Sequence, residues 1–250
     1  MCGISGINNF IAVCICLLFS FQINAQSSRL RILSYNIRNA KGMDNTVNYD
    51  RVAAVIKTAN PSVVALQEID SATQRSAGKF VLQELGSRTG MKYIFNAAID
   101  YNGGKYGVGI LFTEEPLSVK RVPLPGREEN RTLLIAEFKD YFFCCTHFSL
   151  TPADQVLSAG IINEQIAGFT KPVYLAGDFN ALPESEAIGI LRSRWTLLSG
   201  TSFSFPADKP GRCIDYIFSL KSNAKLLHAE VVNEPMASDH RPVLVELAGK

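Results

Sequence analysis

Histidine is scarce in this 250-residue chain: His147, His228 and His240 are all there is, and tryptophan occurs once. No Cys and His residues stand at zinc-ligand spacing, which excludes the common structural zinc modules. Beyond the first thirty residues there is no run of like charge, no low-complexity tract and no internal repeat, so a solenoid is excluded. No linker rich in Pro, Gly or Ser divides the chain, which predicts a single domain. The formal charge is only +2. That argues against a strongly basic nucleic-acid-binding surface, while leaving a local basic patch open. What is abundant is core material: 47% hydrophobic residues against 19% charged, an ordinary globular balance.

Charge is also missing locally. Residues 1–25 contain no Lys, Arg, Asp or Glu; the first such residue is Arg29. Their apolar core, "IAVCICLLFSF", is too short to span a bilayer comfortably. Ala25 supplies a small residue before a cleavage point. The segment reads as a secretory signal peptide over 1–25, with an exported (secreted or periplasmic) domain over 26–250. The uncharged start leaves an uncleaved N-terminal anchor as the alternative. Cys2, Cys14 and Cys16 would leave with the leader, and Cys144, Cys145 and Cys213 would remain. An odd number permits at most one disulfide, from Cys144 or Cys145 to Cys213. The simpler reading is three small buried hydrophobes.

Along the mature chain, "RLRILSYNI" and "SVVALQEID" read as strands and "NYDRVAAVIKTANP" as the helix between them. "GKFVLQELGSRTG" reads as a helix punctuated by Gly86 and Gly90. "KYIFNAAI" and "VGILFT" are strands on either side of the turn-rich "DYNGGKYG". "RTLLIAEF" and "DYFFCCTHF" form a hairpin around Lys139 and Asp140. Thr151 and Pro152 open a helix as N-cap and first helical residue. "PVYLAGDFNA", "CIDYIFSL" and "PVLVEL" complete the strands.

Polar residues collect at the tips of these strands: Asn36 in "SYNIR", Glu68 in "LQEID", His147 in "CTHFS", Asp178 and Asn180 in "GDFNA", Asp215 in "IDYIF", Asp239 and His240 in "SDHRPV". Singly, each is an ordinary turn or capping residue. Jointly they suit metal-assisted phosphoester hydrolysis. A hard cation takes oxygen ligands and needs only one or two carboxylates. It offsets charge on a phosphoryl group. A His suits proton transfer near neutrality, and a carboxylate bonded to it fixes its tautomer. His228, in "AKLLHAE", has no such surroundings and reads as structural.

The ordered set "SYNIR", "LQEID", "YGVGILF", "THF", "GDFNA", "IDYIF", "SDHRPV" resembles the endonuclease/exonuclease/phosphatase superfamily, over nearly all of residues 29–248. The resemblance implies a four-layer α/β sandwich, two packed mixed sheets flanked by helices, with the site at one end. It implies a metal site at Asn36, Glu68 and Asp239, with Glu68 the principal ligand, and Mg2+ or Mn2+ as the cofactor. His240 takes the role of general base or phosphate-contacting residue, with Asp215 orienting it. Asp178 positions or activates water or protonates the leaving group, and Asn180 holds Asp178 and a phosphate oxygen. His147 matches a second His found in deoxyribonuclease-like and sphingomyelinase-like branches.

Three residues are candidates for substrate contact. Arg131 could grip a phosphate bidentately, against the reading of a surface arginine. Arg75 could reach the site from the loop after Glu68, and Tyr106 could form a wall with Tyr101 and Lys105. The expected partner is a phosphate-ester substrate, nucleic acid included, with no stable protein partner and a monomeric chain. The leading named alternative is an endonuclease acting on DNA or RNA. From another class, a catalytically silent binding module on the same fold would be expected to have lost motif residues, and none is lost.

Overall fold

The computed structural model describes residues 1–3 and 29–249. The expected leader, apart from residues 1–3, therefore lies outside the described residues, as do Cys14 and Cys16. Twelve strands form two six-stranded mixed sheets. The first contains β1 (Leu30–Asn36), β2 (Val63–Ser71), β3 (Lys92–Tyr101), β4 (Gly104–Phe112), β11 (Leu226–Val231) and β12 (Val243–Leu247), in the order β11-β12-β1-β2-β4-β3. The second contains β5 (Ser118–Leu124), β6 (Arg131–Glu137), β7 (Phe142–His147), β8 (Val173–Asp178), β9 (Thr196–Leu197) and β10 (Asp215–Leu220), in the order β5-β6-β7-β8-β10-β9. Helices α1 (Tyr49–Ala59) and α2 (Val81–Thr89) cover the first sheet, and α3 (Pro152–Gln165) and α4 (Glu186–Arg192) cover the second. This is the expected four-layer α/β sandwich.

Strand alternation explains the layering. Side chains two apart share a face. On β1, Leu33 and Tyr35 join the core under α1 and α2, while Ile32 faces the other sheet. On β8, Val173 and Leu175 pack under α3 and α4, while Tyr174 and Ala176 face inward between the sheets. Cys144 and Cys145 are neighbours in sequence and point into different layers. Both are buried and free, and so is Cys213, so all three serve as small hydrophobes.

Several local expectations are corrected. Glu68 does not end its strand: β2 runs on to Ser71, and its pairing with β4 shifts register between Leu66 and Ile69. The extra residue is a β-bulge, with Glu68 in the left-handed region at φ 59°. Leu66 and Ile69 consequently face the same helix layer although three positions separate them. Gly86 lies inside α2, and only Gly90 caps it. The "DYNGGKYG" stretch is a two-residue hairpin turn, Asn102 and Gly103 with positive φ at both, so Tyr106 belongs to β4. Thr151 is the N-cap of α3 and Pro152 opens it, as expected, but Thr151 makes no side-chain capping bond. His228 lies on the edge strand β11 with an exposed side chain, not in a core.

Candidate active site

Chain direction brings the polar tips together. In the second sheet β7 and β8 run parallel and β10 runs antiparallel to β8. The ends of β7 and β8 therefore meet the beginning of β10. The register places Thr132, His147, Asp178 and Asp215 side by side in one row across β6, β7, β8 and β10. In the first sheet the end of β1 meets the approach to β12, because those strands are antiparallel. Parity then aims the side chains. Asn36 shares a face with Ile32, His147 with Cys145, Asp178 with Ala176, and Asp215 with Ile217, and all four of those hydrophobes line the inter-sheet core. The site is the open mouth of that core.

Asp178 is the hub. Its Oδ2 accepts from Asn36 Nδ2 at 3.0 Å, and its Oδ1 accepts from the backbone N–H of Asn180 at 2.9 Å. The same Oδ2 lies 3.5 Å from His147 Nε2 and 3.6 Å from His240 Nε2. His240 Nδ1 is 2.9 Å from Asp215 Oδ2, the expected dyad contact. Asp215 Oδ2 also accepts from Ser204 Oγ at 2.6 Å. Phe205 covers the His240 ring, with centroids 4.6 Å apart. Burial would hold His240 uncharged, but Asp215 and then Asp178 outweigh it and raise its pKa to about 10. The opposite holds at His147. Burial, assisted by Arg131, lowers its pKa to about 3 against the pull of Asp178. One imidazole is thus charged at neutral pH and the other is neutral.

Glu68 sits beside this pair. Its Oε1 accepts from Asn36 Nδ2 at 3.0 Å. Burial raises its pKa; the Asn36 bond opposes the rise, and Asp239 and Asp178 add to it. Carboxylates are therefore crowded here beyond what His240 neutralises. Arg38 Nε lies 3.5 Å from Asp239 Oδ2, and Ser238 Oγ donates to the Asn36 carbonyl at 2.8 Å, tying the β12 approach to the end of β1. Oxygen donors with excess negative charge are what a hard divalent cation requires. Asp178, Asp215 and His240 also present ligand atoms within 4.8 Å of one another. Within that trio Asp215 Oδ2 already takes two hydrogen bonds, while its Oδ1 is buried without a partner.

The three candidate substrate contacts are placed differently. Arg75 forms a bidentate pair with buried Asp70, at 2.7 Å for both bonds, and lies over the rings of Tyr101 and Tyr106. Tyr106 is buried, close enough to Glu68 and Arg131 to feel their charges. Arg131 is buried rather than on the surface, and its guanidinium contacts Glu128 at 3.1 Å, Glu129 at 2.8 Å and His147 Nδ1 at 3.3 Å. A phosphate reaching either arginine would have to displace a carboxylate.

Sequence reasoning missed Ser204, Ser238, Arg38 and the two glutamates. Ser238 had a signal, since it precedes Asp239 in the motif. Ser204 had none, because its partner is set by tertiary contact. Glu128 also accepts from the Leu150 N–H and from Ser149 Oγ. Partial burial would raise its pKa, but these bonds and Arg131 outweigh it and lower it from 4.5 to about 2. A depressed acid stabilises the fold above its ordinary pKa, and the contribution fades as pH falls toward the folded value. Glu128→Gln is therefore expected to lower the melting temperature at pH 7 and to leave it almost unchanged near pH 2, measured by thermal melts at both.

A two-sheet sandwich with carboxylates, amides and a charged His–Asp pair at the mouth of its inner faces defines a metal-dependent phosphoesterase. The chain belongs to the endonuclease/exonuclease/phosphatase family: the model of the Endonuclease/Exonuclease/phosphatase family matches residues 33–240. Its members are divalent-metal-dependent phosphoric ester hydrolases, and this chain is such a hydrolase. Among solved structures it is similar to an endonuclease/exonuclease/phosphatase from Bacteroides vulgatus, with TM-score 0.75 and 20% identity over 89% of this chain and 100% of that one. It is similar to a mannosyl-6-phosphatase from Bacteroides thetaiotaomicron, with TM-score 0.68 and 22% identity over 88% and 99% of the two chains. D. rerio TDP2 complexed with a single-strand DNA product gives TM-score 0.70 and 19% identity over 88% and 99%. At these identities the likeness establishes the fold. A search of curated protein sequences finds no match.

Proposed function

We propose that this protein is an exported, monomeric hydrolase of phosphate esters that uses Mg2+ or Mn2+ and attacks phosphorus with water. The observation that carries the reading is Asp178, buried and held by two hydrogen bonds, with a charged and a neutral imidazole on either side of one of its oxygens.

Glu68, Asp239 and the Asn36 amide would hold the cation, which supplies charge withdrawal from the phosphoryl oxygens when bound. The chain's own groups divide the rest. Asp178, held in place by the Asn36 and Asn180 donors, orients the attacking water and accepts its proton. His240, an imidazolium at neutral pH, donates from Nε2 to a phosphate oxygen and stabilises charge developing there. Its raised pKa supports the phosphate-contacting role over the general base. Asp215 fixes that ring by its Nδ1 bond. Asn180 keeps Asp178 in place through its backbone. The hydrophobic mouth behind these groups limits bulk water.

The test is a panel of purified protein against DNA, RNA, sphingomyelin, sugar phosphates and a chromogenic phosphodiester. Turnover of one class is expected with Mg2+ or Mn2+ and its loss after exhaustive chelation. No turnover with either ion would leave the binding-module reading in its place, a Met1 retained on protein recovered from envelope or medium would count against cleavage, and the protein's absence from both fractions would count against export.

A further inference from the structure

We propose that Arg131 is a positioning residue that fixes the single proton of His147 on Nε2, so that this ring meets the substrate as a neutral hydrogen-bond donor. The substrate contact rests on the phosphoesterase reading; the tautomer does not.

The ring of His147 is flanked on both nitrogens. At Nδ1 stands Arg131 Nη1, 3.3 Å away. At Nε2 stand Asn180 Nδ2 at 3.1 Å and Asp178 Oδ2 at 3.5 Å. A guanidinium can only donate, and so can an amide nitrogen. A neutral imidazole has one acceptor nitrogen, so it can satisfy only one of these two donors. If Nδ1 carried the proton, its N–H would face the N–H of a charged guanidinium inside the protein. If Nε2 carries it, the proton meets a neutral amide nitrogen at 3.1 Å but has a carboxylate oxygen 3.5 Å away.

Arg131 decides between these arrangements. Its donor is charged, and charged hydrogen bonds are about twice as strong as neutral ones. It cannot turn away, because it is buried and Glu128 and Glu129 hold it at 3.1 and 2.8 Å. Asn180 has less at stake, since its amide nitrogen keeps a 3.1 Å bond to the Phe148 carbonyl without the ring. The Nε2 proton then lies on the side where Asp178 Oδ2 stands 3.5 Å away, and a substrate oxygen can take it as an acceptor. The conflict with Asn180 also explains why two acidic residues surround an arginine in an already acidic site: they immobilise a donor rather than recruit a phosphate.

The experiment is nitrogen-detected NMR on protein labelled at its three histidines, with His147 assigned by the signal lost in His147→Gln. The free wild-type protein is expected to show His147 as one tautomer, protonated at Nε2. Arg131→Lys keeps a charged donor and should keep that tautomer. Arg131→Met should show both tautomers or the Nδ1-protonated one, with kcat lowered about tenfold to a hundredfold, the usual scale for groups that orient a histidine, and KM little changed. Near-ultraviolet circular dichroism selects the folded variants. If Arg131→Met fails to fold, the wild-type and Arg131→Lys spectra decide alone. An Nδ1-protonated His147 in the wild type, or an unchanged tautomer in folded Arg131→Met, overturns the proposal. Because the tautomer is read without substrate, a protein inactive on every ester would defeat the functional reading and leave this result standing.

Discussion

His240→Ala is expected to lower turnover by about a hundredfold or more, the usual scale for losing a positioned proton donor or acceptor. The ring is buried, faces Asp178 from Nε2 and is held at 2.9 Å by Asp215 from Nδ1. Asp215→Asn should also cost turnover. An amide at that position can turn its nitrogen toward Nδ1 and force the wrong tautomer, and it gives up the charge that keeps the ring protonated. The double variant should be little worse than His240→Ala alone, because Asp215 acts through the ring. Rates from single-turnover assays of all four proteins check this. Multiplicative losses in the double variant would show two independent residues and dissolve the dyad.

The second large effect is expected at Glu68. A group that only orients a ligand costs about tenfold to a hundredfold in metal affinity or activity when removed. A direct carboxylate ligand should cost more, so Glu68→Gln is expected to lose over about a hundredfold in activity at limiting cation. The half-activating concentration of Mg2+ or Mn2+ should rise with it. Stability should move the other way. Glu68 adds a negative charge to a place already holding Asp178 and Asp239. In chelator the variant should therefore melt no lower than the parent, the trade expected where a site is built for function. Cation titrations of rate and melts in chelator check both halves. A variant with normal cation dependence and a lowered melting temperature would make Glu68 a structural residue.

Much of this site was legible because hydrophobic strands ended abruptly in polar residues. Asn36, His147 and Asp178 end β1, β7 and β8, and Asp215 begins β10. Glu68 was expected at a strand exit but lies in a bulge within β2. A bulge depends on the partner strand, and nothing within "LQEID" says that β2 continues. Whole elements were hidden for similar reasons. Pro123 lies within β5, tolerated because that strand is at a sheet edge. β11 is mostly exposed, so it lacks the alternation that marks a half-buried strand. α4 has seven residues, too few to show a helical period clearly. The layered architecture came from family resemblance. Alternation explains it afterwards but does not choose which sheet each strand joins. The partners of Arg75 and Arg131 were invisible for the same reason, since Asp70, Glu128 and Glu129 reach them only once loops are placed.

The first and last strands are neighbours: Leu30 pairs with Leu247. The described chain therefore closes on itself, and its two ends emerge side by side. They emerge at the far end of the sandwich, because Asn36 lies at the other end of β1. Seven residues of strand separate the two ends of β1, about 20 Å at the usual rise. Anything tethered to either end would hold the enzyme by its base with the mouth turned outward. A fusion partner, a surface linkage or a peptide joining the two ends would leave the approach of substrate unobstructed. The same closure means that β1, made before β12, waits for it before its sheet and its half of the site are complete.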